Sequence, residues 1–327
     1  MIFDGHCDIW TDITSRRCEY GEDDVFRRRH LDKFHQGGVG GGIFVIWNDP
    51  PFDADPVKRS AQVVKSLKAE LEQASDILNP VTSFDDFQKG DEAGKINVVT
   101  GMEGMAQIGT DVDLLNYFYE EAGARHGMLT WNEKNDLASG WKQDPEGGLT
   151  EAGKKAVQRM DELGMVVDVS HLNDKSFWGV IDAASGPVIA SHSNCRALCG
   201  TMRNLSDDMI RAIGKTGGLV GMNSFKEFTS LTAGEQDTAH LALHAAHVAE
   251  LIGAEHVGLG FDFDDYLEGD SLATFSDNVD SPSVEGMENE AEASNMLAEL
   301  KKVGFSDEEV EGIAYRNFFR VFQQVWK

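Results

Sequence analysis

The chain has 327 residues, 56 of them acidic and 29 basic, for a formal net charge of −27 at neutral pH. That balance excludes a nucleic-acid binder, which needs a basic footprint, and argues against docking on an anionic membrane surface. Hydrophobic residues make up 41% of the chain, enough for a large core, and no apolar run approaches the ~18 residues of a membrane span.

Short apolar runs appear in chain order at 2–8, 41–47, 96–103, 126–131, 165–171, 187–193, 217–223 and 256–264. Each reads as a strand. Stretches of helical period lie between them, among them 56–78, 112–123, 150–163 and 206–215. Thr150-Glu-Ala and Ser206-Asp-Asp look like helix starts, with a capping hydroxyl followed by acidic residues. The turn Gly37-Gly-Val-Gly-Gly-Gly42 leads into the second strand and lacks the Gly-Lys-Ser/Thr ending of a phosphate loop. Strands alternating with helices predict βαβ units and a parallel sheet. Eight of them predict a closed (β/α)8 TIM barrel of the metal-dependent hydrolase type, spanning 1–327 as one domain. An acidic segment, 266–285, reads as a loop over the site. Two C-terminal helices, 288–303 and 306–325, finish the chain, and Phe318, Phe319, Phe322 and Trp326 stripe the last one as core packing.

The start, Met1-Ile-Phe-Asp-Gly-His-Cys-Asp8, holds no basic region followed by a long apolar stretch, so a cytoplasmic location is expected. Four cysteines are too sparse for a disulfide framework. Cys195 and Cys199 read as buried thiols. His240, His244 and His247 stand at helical spacing without the Glu of a His-Glu-x-x-His zinc helix, so they read as a structural or solvated helix face.

Barrel enzymes place their chemistry at the C-terminal ends of the strands, and here those ends are polar. The first ends His6-Cys-Asp8, and side chains two apart on a strand share a face. The third ends at Glu103, the fifth at Asp168-Val-Ser-His171, the sixth at Ser191-His192-Ser, and the eighth at Asp262-Phe-Asp264. Imidazole with carboxylate suits zinc and related ions. Six candidates exceed the needs of one four-coordinate zinc, and a carboxylate bridging two ions would account for the excess.

These motifs resemble the membrane dipeptidase (renal dipeptidase) family of dinuclear zinc peptidases. The matching segments are Asp4-Gly-His6-Cys-Asp8, Gly101-Met-Glu103-Gly, Asp168-Val-Ser-His171, Ser191-His192-Ser, Arg203-Asn204 with Asp207-Asp208, and His256-Val-Gly-Leu-Gly-Phe-Asp262-Phe-Asp264. They run in the family's order over nearly the whole chain. The resemblance implies a homodimeric barrel that cleaves dipeptides, L,D-dipeptides among them, with two Zn2+ ions bridged by Glu103 and a hydroxide. It implies His6 and Asp8 on the first ion, His171 and His192 on the second, Glu103 between them, Asp262 as the proton carrier and Arg203 on the substrate's terminal carboxylate. A guanidinium fork suits that last task.

One departure stands out. Where better-known members read Leu-Thr-His after the fourth strand, this chain reads Leu129-Thr130-Trp131-Asn132. Trp131 is expected to line the substrate pocket, offering one indole N–H. It keeps two other readings open: a barrel amidohydrolase acting on another small amide or ester, and a metal-binding protein with reduced peptidase activity.

Overall fold

The computed structural model describes residues 1–268 and 282–326. Its strands are β1 Ile2–Cys7, β2 Val39–Trp47, β3 Leu78–Pro80, β4 Ile96–Glu103, β5 His126–Met128, β6 Val166–Asp168, β7 Val188–Ile189, β8 Val220–Met222 and β9 Val257–Leu259. All pair in parallel, in the order β1-β2-β4-β5-β6-β7 with β8-β9 following. A bridge from Ala190 to Val220 joins β7 to β8. β9 returns beside β1, where Asp4 Oδ1 accepts the backbone N–H of Phe261 at 2.9 Å and of His6 at 3.1 Å. A carboxylate thus ties the seam of a (β/α)8 barrel.

All eight strands read from the sequence are present. The ninth, β3, begins where the stretch read as helix 56–78 ends, and was not read as a strand. That helix runs Pro56–Gln73, capped by the Asp55 side chain on Lys58 N–H. The chain then turns, and Leu78–Pro80 pairs with the N-terminal half of β4, leaving the C-terminal half for β5. Apart from β3, the sheet strands are buried on both faces, as expected where helices cover a parallel sheet.

The last helix, Asn317–Val325, buries Phe318 and Phe322. Both rings meet Phe3 of β1, at centroid distances of 5.3 and 5.5 Å, while Trp326 stacks on Phe87 at 5.6 Å. The aromatic stripe is core, as its spacing predicts. Before it come Asn295–Lys302, Asp307–Glu311 and a π-helical turn at Gly312–Arg316.

Much of the expected acidic loop, 269–281, lies outside the described residues. Beyond it the chain is anchored, with Ser283 bridging to Phe225 and Glu285 to Asp237. The four cysteines are free thiols, with Cys195 and Cys199 buried. His244 is a structural histidine. Its Nδ1 accepts from Cys195 N–H at 3.0 Å, so its Nε2 carries the proton donated to the Thr229 carbonyl at 2.9 Å. Among the described residues, no helix is long and apolar enough to cross a membrane.

Candidate metal centre

The strand-end residues converge. His6 Nε2 lies 3.2 Å from Glu103 Oε2, 3.6 Å from Asp262 Oδ1 and 3.8 Å from Asp8 Oδ2. On the other side, His171 Nε2 lies 3.0 Å and His192 Nε2 3.9 Å from Glu103 Oε1. Glu103 therefore stands between two groups, with one oxygen turned to each. His6, Glu103 and His192 form one set able to hold an ion, and His6, Asp8 and Asp262 another.

Local backbone explains the convergence. β5, β6, β7 and β9 are short, so Trp131, His171, His192 and Asp262 stand in the loops beyond them. His171 and Asp262 adopt left-handed φ values of 68° and 62°, uncommon for residues other than glycine and concentrated at functional sites. Strand alternation therefore fails beyond Asp262. Asp264, one step further on, is buried apart, outside both ion-holding sets. Gly221 and Gly260 keep β8 and β9 close to the backbone carbonyl of Ser191, where a Cβ on either would collide. That packing fixes the strand end from which His192 projects.

Further side chains orient the ligands. Asn132 Oδ1 accepts from His171 Nδ1 at 2.9 Å, leaving the Nε2 lone pair aimed inward. Ser191 Oγ lies 2.7 Å from His192 Nδ1. Asn223 Nδ2 donates to Asp262 Oδ2 at 2.9 Å. Asp168 is a clamp across three strands. It accepts from His126 Nε2 at 2.7 Å and from the backbone N–H groups of Ser170 and Ser191, the residues preceding His171 and His192. Tyr266 Oη accepts the Asp8 N–H at 3.0 Å. Sequence reasoning assigned Asn132, Asn223 and Tyr266 no role. Asn132 and Asn223 carried the same signal as the ligands, a polar residue at a strand end, whereas the distant Tyr266 carried none.

Electrostatics divide the site. Burial lowers His6, but Glu103, Asp262 and Asp8 overrule it and lift its pKa to about 10. Burial, helped by Glu103, pushes Asp8 well above the usual carboxylate range, and burial lifts Asp262 to about 6. Burial, with the Arg203 charge adding, drops His171 to about 4 and holds His192 well below its ordinary value. Glu103 resists its own burial through His6 and His171 and stays low.

The donor set fits metal ions. Both Asp8 oxygens are buried without a hydrogen-bond partner among the described residues. The Nε2 atoms of His171 and His192 face each other at 2.8 Å. Buried polar groups are normally satisfied, and a cation is the partner that converging carboxylates and neutral imidazoles share.

Arg203 is 3% exposed beside this cluster. It donates to Ser193 Oγ at 2.7 Å and to the His192 carbonyl at 2.9 Å. Trp131 is half-buried, its ring 5.2 Å from Trp47 and 6.3 Å from His171. Both indoles line a cavity of about 320 Å³ that reaches Glu103.

A parallel (β/α)8 barrel with histidines and carboxylates gathered at its strand ends is the architecture of the metallohydrolase barrels. Within that class, a family model described as Membrane dipeptidase (Peptidase family M19) matches residues 1–327, and the chain belongs to that family of metallo-dipeptidases. It is 28% identical over 343 aligned residues to Dipeptidase aclJ of Aspergillus oryzae, covering 99% of this chain and 78% of that protein. It is 30% identical over 282 residues to an uncharacterized protein in the pqqA 5' region of Klebsiella pneumoniae, covering 84% of this chain and 98% of that one. In fold it is similar to a metallo peptidase from Rhodobacter sphaeroides liganded with a phosphinate mimic of the dipeptide L-Ala-D-Ala. That match has a TM-score of 0.86 at 22% identity over 99% of each chain.

Proposed function

We propose that this protein hydrolyses the peptide bond of dipeptides, L,D-dipeptides among them, using two zinc ions. The observation that carries the reading is the stance of Glu103, with Oε2 toward His6 and Oε1 toward His171 and His192. His6 and Asp8 would hold one ion, His171 and His192 the other, and Glu103 both. When bound, such an ion pair supplies a bridging water held as hydroxide and Lewis acidity toward the scissile carbonyl.

The chain's own groups do the rest. Asp262 Oδ1 faces the cluster while Asn223 holds Oδ2, so one oxygen is free to take the proton of the attacking water and pass it to the leaving amine. Arg203, held from behind by Ser193 and the His192 carbonyl, has further N–H groups for a terminal carboxylate. Such a contact favours substrates whose carboxylate lies one residue beyond the scissile bond. Trp131 and Trp47 line the cavity that reaches Glu103.

The test is amino-acid release from a panel of L,L- and L,D-dipeptides by zinc-reconstituted protein. Cleavage is expected, with silencing by a chelator and recovery on adding zinc. A sample carrying two zinc ions that cleaves none of them sinks the peptidase reading. Cleavage confined to another small amide or an ester reassigns the reaction.

A further inference from the structure

The cavity between Trp47 and Trp131 is unbalanced in its hydrogen bonding. Gln107 Nε2 donates to the Gly104 carbonyl at 3.4 Å, so Gln107 Oε1 is the acceptor for Asn48 Nδ2 at 2.9 Å. That chain fixes the Asn48 amide and leaves its Oδ1 buried without a partner among the described residues. On the same lining stands Glu133, its Oε1 taking a hydrogen bond from Asn135 Nδ2 at 3.2 Å. A Cβ built on Gly104 would sit 3.7 Å from this oxygen, so the carboxylate lies against the backbone that follows Glu103.

Asn135 is a neutral donor, and Glu133 shares the lining with a further carboxylate, that of Asp53. Among the described residues of the cavity wall, the one cation, Lys142, is exposed, with its ammonium 5.6 Å from the centre of the Trp141 ring. Two indole rings, an unpaired amide oxygen and a carboxylate thus line one cavity, offering acceptors and aromatic walls. A multi-donor cation complements both.

We infer that this cavity is a specificity pocket for a positively charged side chain, guanidinium or ammonium, on the N-terminal residue of the dipeptide, with Glu133 as the specificity-determining residue. The inference rests on the dipeptidase reading. With a terminal carboxylate on Arg203 and the scissile bond at Glu103, the N-terminal residue is the part left to enter the cavity. A volume of about 320 Å³ accommodates a long side chain as well as an α-ammonium.

The test is the ratio of kcat/KM for Arg-Ala over norleucyl-Ala in zinc-loaded protein, before and after Glu133→Gln. The ratio is expected to exceed one and to fall by on the order of tenfold or more in the variant, the worth of a hydrogen bond to a charged group. Asn48→Asp, which adds a further carboxylate, is expected to raise it and serves if Glu133→Gln does not fold. An equal loss on both peptides would put the α-ammonium against Glu133 and overturn the side-chain assignment, as would an unchanged ratio.

Binding separates this inference from the dipeptidase reading. Tryptophan fluorescence of metal-free protein, titrated with argininamide and with norleucinamide, should show tighter binding of the first and loss of the difference in Glu133→Gln. Equal binding of both amides by the wild type overturns the cation pocket. The cation preference without cleavage of any dipeptide overturns the reaction alone.

Discussion

The two halves of the metal centre are built on opposite terms. Around β1 buried carboxyl groups crowd one imidazole, with Asp8 lacking a hydrogen-bond partner for either oxygen and His6 set between Glu103, Asp262 and Asp8. Beyond β6 and β7 the groups are neutral imidazoles, each held through Nδ1 by a neighbouring side chain. A cation would relieve the first half, because close carboxylates out of water repel one another and lose solvation. The second half is pre-aimed, because the partner on one ring nitrogen fixes the other for the ion. Glu103 joins them and is the group through which each half feels the other.

The sharpest way to break that picture is to remove the joint. Glu103→Gln should take activity to background and lower the zinc content of both halves, read by activity and elemental analysis together. Asp262→Asn, by contrast, should keep much of the zinc while kcat falls about 10²- to 10⁴-fold, the usual reach of a proton carrier. Full zinc content with near-normal turnover in Glu103→Gln would show that the halves are not joined there.

A smaller effect is expected in the pre-aimed half. Asn132→Ala frees the His171 ring and should weaken zinc affinity by about 10- to 100-fold, the range found when an orienting partner is lost. The measurement is competition with a chromophoric chelator. An affinity indistinguishable from wild type would mean that packing alone, including Trp131 nearby, aims His171.

Much of this was legible in the sequence because strand ends in a barrel are a strong positional rule. His6, Glu103, His171, His192 and Asp262 could all be found by asking where each apolar run stops. What stayed hidden followed from geometry that no period encodes. Left-handed backbone at His171 and Asp262 carries the chain off strand alternation, so Asp264 and Asp262 part company. β3 escaped because three residues, beginning at the last one of a helical pattern, pair with only half of β4. Tyr266 meets Asp8 across 258 positions of chain, a contact set by closure of the barrel. The Glu133 pocket needed the direction of the Asn48 amide, which only the chain of partners through Gln107 reveals.

The crowding of buried carboxyl groups on the β1 side extends behind the strand to Glu290. Glu290 is 1% exposed, and neither of its oxygens has a partner among the described residues. Burial, with Asp265 adding and Lys33 opposing, pushes its pKa up from 4.5 to about 8. Between those values the folded chain keeps a proton that the unfolded chain has released, so stability falls as pH rises through that window. Glu290→Gln removes this contribution. Denaturation at pH 5 and pH 8 should show a shallower loss of stability in the variant, with Asp4 and Asp264, raised to about 7 and about 8, and the raised groups His6, Asp8 and Asp262 supplying slope that remains. An unchanged slope would confine the effect of that crowding to the metal centre, and the contrast between the two halves would be a property of the ligands rather than of the whole β1 side.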